Sequence, residues 1–243
     1  MRKIGIPFVV VAILSIVNCS YHPFVPPGEI ISISTPATLN KNQFSISGAF
    51  GNSSELELFG YSLNNSWIKL NYGLTNSIEL SISSSGIFLE DTEKTFVDYK
   101  RYSLGGYVSS KVSLIPKILS INGGIGIGFS DLGNYSNIDV GIIWGWENKI
   151  IVPLGQIDMF LGLPFNPQNH DLSLLSDEPQ EFMYKPESTI GLKVNTGAKF
   201  PVLLWLGKND KFSIYLVYGL SEVWDSKAND QFLSFGGSVE YKF

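Results

Sequence analysis

The chain has 243 residues, of which 16% are charged and 13% are aromatic, and its mean hydropathy is +0.13. The formal net charge of −5 and the lack of a basic patch argue against binding to nucleic acid, which requires clustered Lys and Arg. A helical membrane protein needs repeated runs of about 20 apolar residues, and none follows the N-terminal segment. Apolar residues spread thinly among polar ones instead favour strands with one apolar face.

The N-terminal residues have the layout of an export signal. Arg2 and Lys3 form a positive region, and the stretch 4–17 is apolar but too short to span a bilayer comfortably. The only cysteine, Cys19, stands where this stretch ends. We therefore predict a signal peptide over residues 1–18, a proline-rich extended linker over 19–28 and the main domain over 29–243.

The segment Ile16-Val17-Asn18-Cys19 resembles the lipobox of bacterial lipoproteins, although Asn18 stands where the box usually has a small residue. The resemblance implies that Cys19 becomes the first residue of the mature chain and carries lipid, with fatty acyl chains such as palmitate. The alternative is a cysteine that lies by chance near an ordinary cleavage site.

From Gln43 onward the dominant period of the sequence is two. Ile68, Leu70 and Tyr72 alternate with polar or small residues, and the same pattern recurs over 121–129 and 212–220. Strict alternation predicts strands whose side chains point to opposite faces of a sheet. We therefore predict an all-β fold.

The polar face distinguishes a barrel from a soluble sandwich. It is rich in Gly, Ser and Asn and carries isolated charges, which suits a curved wall around a narrow, hydrated or salt-bridged lumen. The fold that we predict is a single antiparallel up-and-down transmembrane β-barrel. Its predicted lumen-facing polar residues are Lys69, Asn71, Glu79, Arg101, Asp139, Lys193, Glu240 and Lys242.

Connection lengths agree with such a barrel, in which external loops are long and internal turns are short. The predicted external connections are 221–230, 166–187, 130–136, 86–96 and a short one at Asn64-Asn65. The predicted internal turns are 207–210, 147–149, 75–76 and one near Pro116. This count needs an extra strand over Glu29 to Ser34, which gives about twelve strands, with ten as the alternative.

Tryptophans lie near the predicted strand ends, as in the aromatic belts at membrane interfaces. Trp144 and Trp146 share a face at an internal end, and Trp67 and Trp224 lie near external ends. We therefore predict that these residues belong to an aromatic girdle.

The C-terminal residues alternate strictly and end in an aromatic residue. Phe235, Val239, Tyr241 and Phe243 resemble the signal by which the barrel-assembly machinery recognises bacterial outer-membrane proteins. The resemblance implies a location in the outer membrane, with membrane lipid and the assembly machinery as partners. It indicates no specific functional family.

The residues offer little for catalysis. The only histidines, His22 and His170, lie in the predicted linker and in a predicted external loop, and no third group completes a triad with either. No spacing suits a metal or a phosphate loop. We expect no enzyme activity, no metal and no cofactor.

Three functional hypotheses remain at this level. The leading one is a narrow channel or transporter for small solutes. The second is a structural or surface-interaction barrel with a plugged lumen. The third is a lipid-active enzyme, which the small number of histidines disfavours. The rival to all three is a soluble β lipoprotein that is anchored through Cys19.

Overall fold

A computed structural model describes residues 32–55, 61–91, 100–130, 133–167, 170–171, 183–184, 187–205, 211–226 and 229–243. Ten antiparallel strands form a closed barrel. They are β1 (Phe44–Glu55), β2 (Tyr61–Gly73), β3 (Ile78–Asp91), β4 (Lys100–Ile115), β5 (Leu119–Ser130), β6 (Gly133–Gly145), β7 (Val152–Pro167), β10 (Thr189–Phe200), β11 (Phe212–Trp224) and β12 (Asn229–Lys242).

Three short elements complete the described structure. The two-residue strands β8 (His170–Asp171) and β9 (Met183–Tyr184) pair with each other between β7 and β10, and the helix α1 (Val202–Trp205) follows β10. Within the described ranges, no helix is long and apolar enough to cross a bilayer.

Each barrel strand pairs with its neighbours in chain order, and β1 pairs with β12 to close the ring. The backbone N–H of Phe243 donates to the carbonyl oxygen of Phe44 at 2.9 Å. We call the end of the barrel that contains these two residues the terminal end. The predicted all-β, up-and-down barrel is thus confirmed.

The strand count is ten, which was the alternative, and the prediction of about twelve is wrong. Residues 32–34 belong to no strand, because the edge of β1 that would receive an extra strand is already paired with β12. Instead, residues 32–40 run inside the barrel. Residues 1–31, including Cys19, lie outside the described residues, so the signal peptide, the linker and the lipid anchor stay predictions.

The connections divide between the two ends in the expected order, but the expected difference in length is incomplete, because 201–211 at one end is longer than 131–132 at the other. The terminal end carries the turns 74–77, 116–118 and 146–151 and the connection 201–211, and the opposite end carries 56–60, 92–99, 131–132, 168–188 and 225–228. The predicted Asn64-Asn65 connection is wrong, because both residues lie within β2 and pair with Asn52 and Gly51. The external connection predicted from residue 86 begins later, since β3 continues to Asp91.

The outer surface of the barrel is apolar. Alternate positions expose large side chains, such as Phe50 and Ile125, each 64% exposed, and Val140 at 60%. In water this surface would cost about 25 cal/mol for each Å², and it would suit the lipid-facing wall of a membrane barrel. The exterior is therefore that of a membrane-spanning β-barrel, and the soluble lipoprotein hypothesis does not fit it.

The inner surface is mostly polar and is buried. Ser, Asn, Lys and Asp side chains occupy the inward positions, and Asp158, Lys193, Asn195 and Lys199 are each 1% exposed. Trp67 also points inward and is buried, so its predicted place in the aromatic girdle is wrong. Its side chain lies below Lys69, whose Nζ is 4.9 Å from the ring centroid.

Inward glycines on β5 make room for aromatic rings from the neighbouring strands. A Cβ at Gly126 would come within 2.6 Å of the Tyr107 ring, and one at Gly128 would overlap the ring of Tyr135. Tyr107 is on β4 and Tyr135 on β6, so the two rings cover the inside of β5 from both sides. The alternation of Ile and Gly in this strand follows from that packing.

Candidate functional site: the occupied lumen

Residues 32–40 precede β1 and occupy the lumen near the terminal end. We call them the lumen segment. Ser32, Ile33, Thr35 and Leu39 are buried, and Ile33 belongs to the buried apolar cluster of the barrel. A chain segment that runs through a lumen must satisfy its backbone polar groups there, so its hydrogen-bond partners define the site.

The central contact is an ion pair between two strands. Glu79 on β3 lies directly opposite Lys111 on β4, and the distance from Lys111 Nζ to Glu79 Oε1 is 3.0 Å. The other carboxylate oxygen, Oε2, accepts a hydrogen bond from the backbone N–H of Leu39 at 2.9 Å. The carboxylate of Glu79 therefore binds both the barrel wall and the lumen segment.

Lys111 binds the same segment through three further oxygens. Its Nζ donates to Ser34 Oγ at 3.1 Å, to the carbonyl oxygen of Thr35 at 3.2 Å and to that of Ala37 at 3.0 Å. These contacts and Glu79 surround the ammonium group, which is what a buried charge requires. Lys111 is thus the principal link between wall and segment.

Other strands hold the segment along its length. Gln156 Oε1 on β7 accepts from the backbone N–H of Ser34 at 3.3 Å, and Asn195 Nδ2 on β10 donates to the carbonyl oxygen of Ser32 at 2.8 Å. Ser120 Oγ on β5 donates to the carbonyl oxygen of Pro36. Together with β3 and β4, five strands bind the segment, so it is an integral part of the lumen.

Beside the segment lies a polar cavity of about 90 Å³. This volume holds several water molecules, since one water needs about 10–15 Å³ on the same measure. The predicted lumen residues that line the cavity are Lys69, Asn71, Glu79, Asp139, Glu240 and Lys242. Acids and lysines are intermixed here, so the cavity has no strong charge of one sign.

Hydrogen bonds order the cavity wall at the closing seam. Glu240 Oε1 accepts from Ser45 Oγ at 3.0 Å, and its Oε2 accepts from Tyr215 OH at 2.7 Å. Asn71 Nδ2 donates to Ser45 Oγ at 2.9 Å. The side chains of β1, β2, β11 and β12 therefore form one network across the seam.

The remaining predicted lumen residues lie apart from the cavity or outside the described side chains. Lys193 is buried, with its Nζ 4.0 Å from Asp158 Oδ2 and 5.8 Å from the ring centroid of Phe160. The backbone of Arg101 lies in β4, but its side chain is outside the described part of the structure.

Several functional residues were not predicted from the sequence. Lys111, Gln156, Asp158 and Asn195 all occupy inward positions of the same alternation, and Asp158 accepts hydrogen bonds from Gln156 at 2.7 Å and from Asn122 at 3.0 Å. Period and polarity together were a sufficient signal to select them as lumen residues. The contacts of Lys111, Gln156 and Asn195 to residues 32–40 had no signal in the sequence.

Apolar side chains fill the lumen farther from the terminal end. The residues involved are Leu63, Ile87, Phe160, Val223 and Phe232, all buried at inward positions and all members of the apolar cluster. Close packing of such side chains leaves few voids larger than a water molecule. The described interior thus holds the lumen segment near the terminal end and a cluster of apolar side chains, together with buried polar ones such as Asn65 and Ser234, farther from it.

The described residues offer no metal centre, since no group of three or more His, Cys, Asp or Glu side chains there is arranged to hold an ion. The side chain of His170 is outside the described part.

No family model matches the chain, and no curated relative matches it. Among solved structures, the chain is similar to Neisserial surface protein A (13% identity, TM-score 0.40, covering 83% of this chain and 96% of that one). It is also similar to the outer-membrane protease OmpT from Escherichia coli (10% identity, TM-score 0.43, covering 87% of this chain and 99% of that one). A third similar structure is the β domain of the Bordetella autotransporter BrkA (10% identity, TM-score 0.44, covering 82% of this chain and 98% of that one). Similarity at this level carries no information about activity.

Proposed function

We propose that the protein is a non-conducting outer-membrane barrel whose lumen is closed by its own residues 32–40. The observation that supports this most directly is the set of contacts around Lys111, which binds three oxygens of the segment and Glu79. The barrel size agrees, because barrels of about eight strands are filled by side chains, whereas those of 16–18 strands leave an aqueous channel.

The second support is the apolar layer beyond the cavity. Phe160 and Phe232 are buried in the interior, and their bulky rings narrow the lumen between the cavity and the opposite end of the barrel.

A barrel that conducts no solute can still contact partners through the connections at its ends. We propose that this one is a rigid anchor for the connections at the end opposite the termini, of which 168–188 is the longest. Its role is structural or surface-interacting, and no catalytic step is part of the proposal. Loops on a rigid scaffold are the usual place of binding residues.

The narrow channel for small solutes is the second candidate, and one observation favours it. The cavity of about 90 Å³ is polar and carries both lysines and acids along its wall. If the lumen segment left the barrel, this cavity would widen towards the terminal end.

Planar-bilayer recording separates the two candidates. The full chain, refolded in detergent and verified by a heat-dependent shift in gel mobility, should give no unitary current at any voltage. A stable, ohmic unitary conductance from the same preparation would contradict the closed barrel and favour the channel. Swelling of proteoliposomes in small sugars provides a second readout that needs no applied field.

Two further proposals concern how the barrel reaches its membrane. The alternating side chains of Phe235, Val239, Tyr241 and Phe243 are exposed on the outer surface of β12 and just beyond it, where the assembly machinery would contact them. The sequence around Cys19 supports lipid attachment there. Metabolic labelling with a fatty acid, compared between the natural chain and Cys19→Ala, tests the second proposal.

A further inference from the structure

Two neighbouring turns at the terminal end form one apolar surface. The β4–β5 turn and the β6–β7 connection are joined, because the backbone N–H of Gly145 donates to the carbonyl oxygen of Ile118 at 3.0 Å. We call this surface the apolar shelf. Its residues are Leu114, Ile115, Ile118, Trp146, Ile150 and Ile151.

The shelf is unusually exposed for apolar side chains in turns. Ile150 is 71% exposed and Trp146 is 68% exposed. In contact with water, such a cluster would lose the free energy that burial of an isoleucine or a tryptophan normally gains. Contiguous exposed apolar patches of this kind mark interaction sites.

The β6–β7 connection holds its isoleucines in a defined turn. Asn148 Oδ1 accepts from the backbone N–H groups of Ile150 at 2.8 Å and Ile151 at 3.0 Å. Asn148 Nδ2 donates to the carbonyl oxygens of Trp146 and Ile151. The exposure of Ile150 is therefore a property of an ordered turn.

The exposed charged side chains of the shelf are both positive. Lys117 and Lys149 are exposed, whereas the carboxylate of Glu147 turns inward, with its Oε2 4.0 Å from Nζ of the buried Lys199. Within residues 112–122 and 142–155, Glu147 is the only acidic residue. The surface thus combines apolar side chains with outward positive charge.

Another turn at the same end is different. Residues 74–77 are Leu, Thr, Asn and Ser, and Asn76 uses its carbonyl and amide oxygens to accept from Thr38 Oγ1 at 2.7 Å and the Lys41 N–H at 2.9 Å. The turn 74–77 therefore lacks the cluster of exposed isoleucines and tryptophan that forms the apolar shelf.

We propose that the apolar shelf inserts into the leaflet on the terminal side of the bilayer, where Lys117 and Lys149 bind the phosphates of anionic phospholipids. The shelf continues the lipid-facing wall, since Ile142 and Trp144 on β6 are exposed directly before it. Tryptophan favours the interfacial region, and lysine reaches phosphate groups while its methylene groups stay in apolar surroundings. Together these features fit an anionic phospholipid.

Single-cysteine variants of the full chain test the insertion. Ile150→Cys and, as the matched control on the polar turn, Ser77→Cys are made in a Cys19→Ser background, labelled with a polarity-sensitive fluorophore and placed in nanodiscs. Brominated phospholipid should quench the label at 150, and aqueous iodide should quench the label at 77. Quenching of the 150 label by iodide would overturn the insertion.

Lipid charge is tested in the same nanodiscs. Brominated phosphatidylglycerol should quench the 150 label at a lower mole fraction than brominated phosphatidylcholine, by up to about fivefold for each lysine. Lys117→Gln with Lys149→Gln should remove this preference but not the quenching itself, and Lys211→Gln, an exposed lysine at the same end, should leave both unchanged.

Two outcomes would contradict the proposal that anionic phospholipid covers the apolar shelf. Equal quenching by the two brominated lipids would exclude phosphate binding by the lysines. Lipid quenching that disappears as the number of protein copies per nanodisc rises would show that a second copy covers the shelf instead.

Discussion

Glu79 and Lys111 face each other across β3 and β4 with 3.0 Å between carboxylate oxygen and ammonium nitrogen, and both side chains are 7% exposed. Each also binds the lumen segment, Glu79 through the N–H of Leu39 and Lys111 through three oxygens. One ion pair thus couples the inner wall of the barrel to residues that come before its first strand.

Removing the positive partner should cost more than removing the negative one. Lys111→Met leaves Glu79 as a buried charge and deprives Ser34, Thr35 and Ala37 of their donor, so we expect a loss of about 3–5 kcal/mol in the free energy of unfolding. Glu79→Gln keeps an oxygen for the N–H of Leu39 and should cost less. Urea titrations of the refolded barrel measure both, with Lys211→Gln as the exposed control. Equal losses from the two substitutions would contradict the role assigned to Lys111.

The lumen segment should be shielded from reagents in solution. In a Cys19→Ser background, Thr35→Cys places a thiol at a buried position, and Thr75→Cys places one on an exposed turn. A charged methanethiosulfonate should modify position 35 at least about tenfold more slowly, because modification requires local opening. Adding Lys111→Met should raise the rate at 35 and leave that at 75 unchanged. Equal rates at the two positions in the otherwise natural barrel would show that the segment is not held inside.

The inner glycines of β5 should tolerate no side chain. Gly128→Ala places a Cβ in the ring of Tyr135, whose hydroxyl also hydrogen-bonds with Ser103, so we expect a loss of about 1–3 kcal/mol from overpacking. Gly106→Ala is the matched control, since a Cβ there meets no atom within 4 Å. Thermal scans of the two variants by circular dichroism make the comparison, and a neutral Gly128→Ala would refute the packing described for this wall.

The aromatic residue beyond β12 should matter more for assembly than for stability. Phe243→Ala removes an edge contact with the Tyr241 ring, whose centroid is 5.1 Å away, and such a contact contributes about 0.5–1.5 kcal/mol. The backbone bond to Phe44 is kept. We therefore expect a small loss of stability after refolding in detergent and a much larger loss of folded barrel in the outer membrane of cells. If the loss of folded barrel in cells were only as large as the loss of stability in detergent explains, Phe243 would have no special role in assembly.

The two ends of the barrel should differ in their access from outside the cell. An epitope inserted after position 176, in the long connection, should bind antibody on intact cells. The same epitope inserted after position 148 should bind only after the outer membrane is permeabilised. Antibody binding on intact cells to the epitope after 148 and not to the one after 176 would reverse the predicted orientation, in which 166–187 is external and 147–149 is internal.

Alternation predicted the wall of the barrel well because a strand has only two faces. Once Ile68 and Leu70 face lipid, Lys69 and Asn71 must face inward, and the register of the neighbouring strands brings Glu79 to the same region. This follows because side chains alternate between the two faces of a strand with a period of two.

The same alternation wrongly predicts a strand over Glu29 to Ser34, where the structure has the start of the lumen segment. Ser32, Ile33 and Ser34 alternate as a strand would, but alternation does not distinguish a ladder of backbone bonds from bonds to side chains such as Gln156. The Asn64-Asn65 pair resembled a turn because asparagine is common in turns, yet cross-strand contact with Asn52 retains Asn64 in β2. In both cases the deciding partners are distant in the chain.

The closing seam joins β1 to β12, the two barrel strands that are farthest apart in the chain. Contacts of such long separation form slowly, because the entropy of the intervening loop opposes them. The lumen segment is covalently continuous with β1, so it stays tethered beside the open seam throughout this delay. The segment that fills the lumen is therefore already beside the barrel interior when β1 and β12 pair.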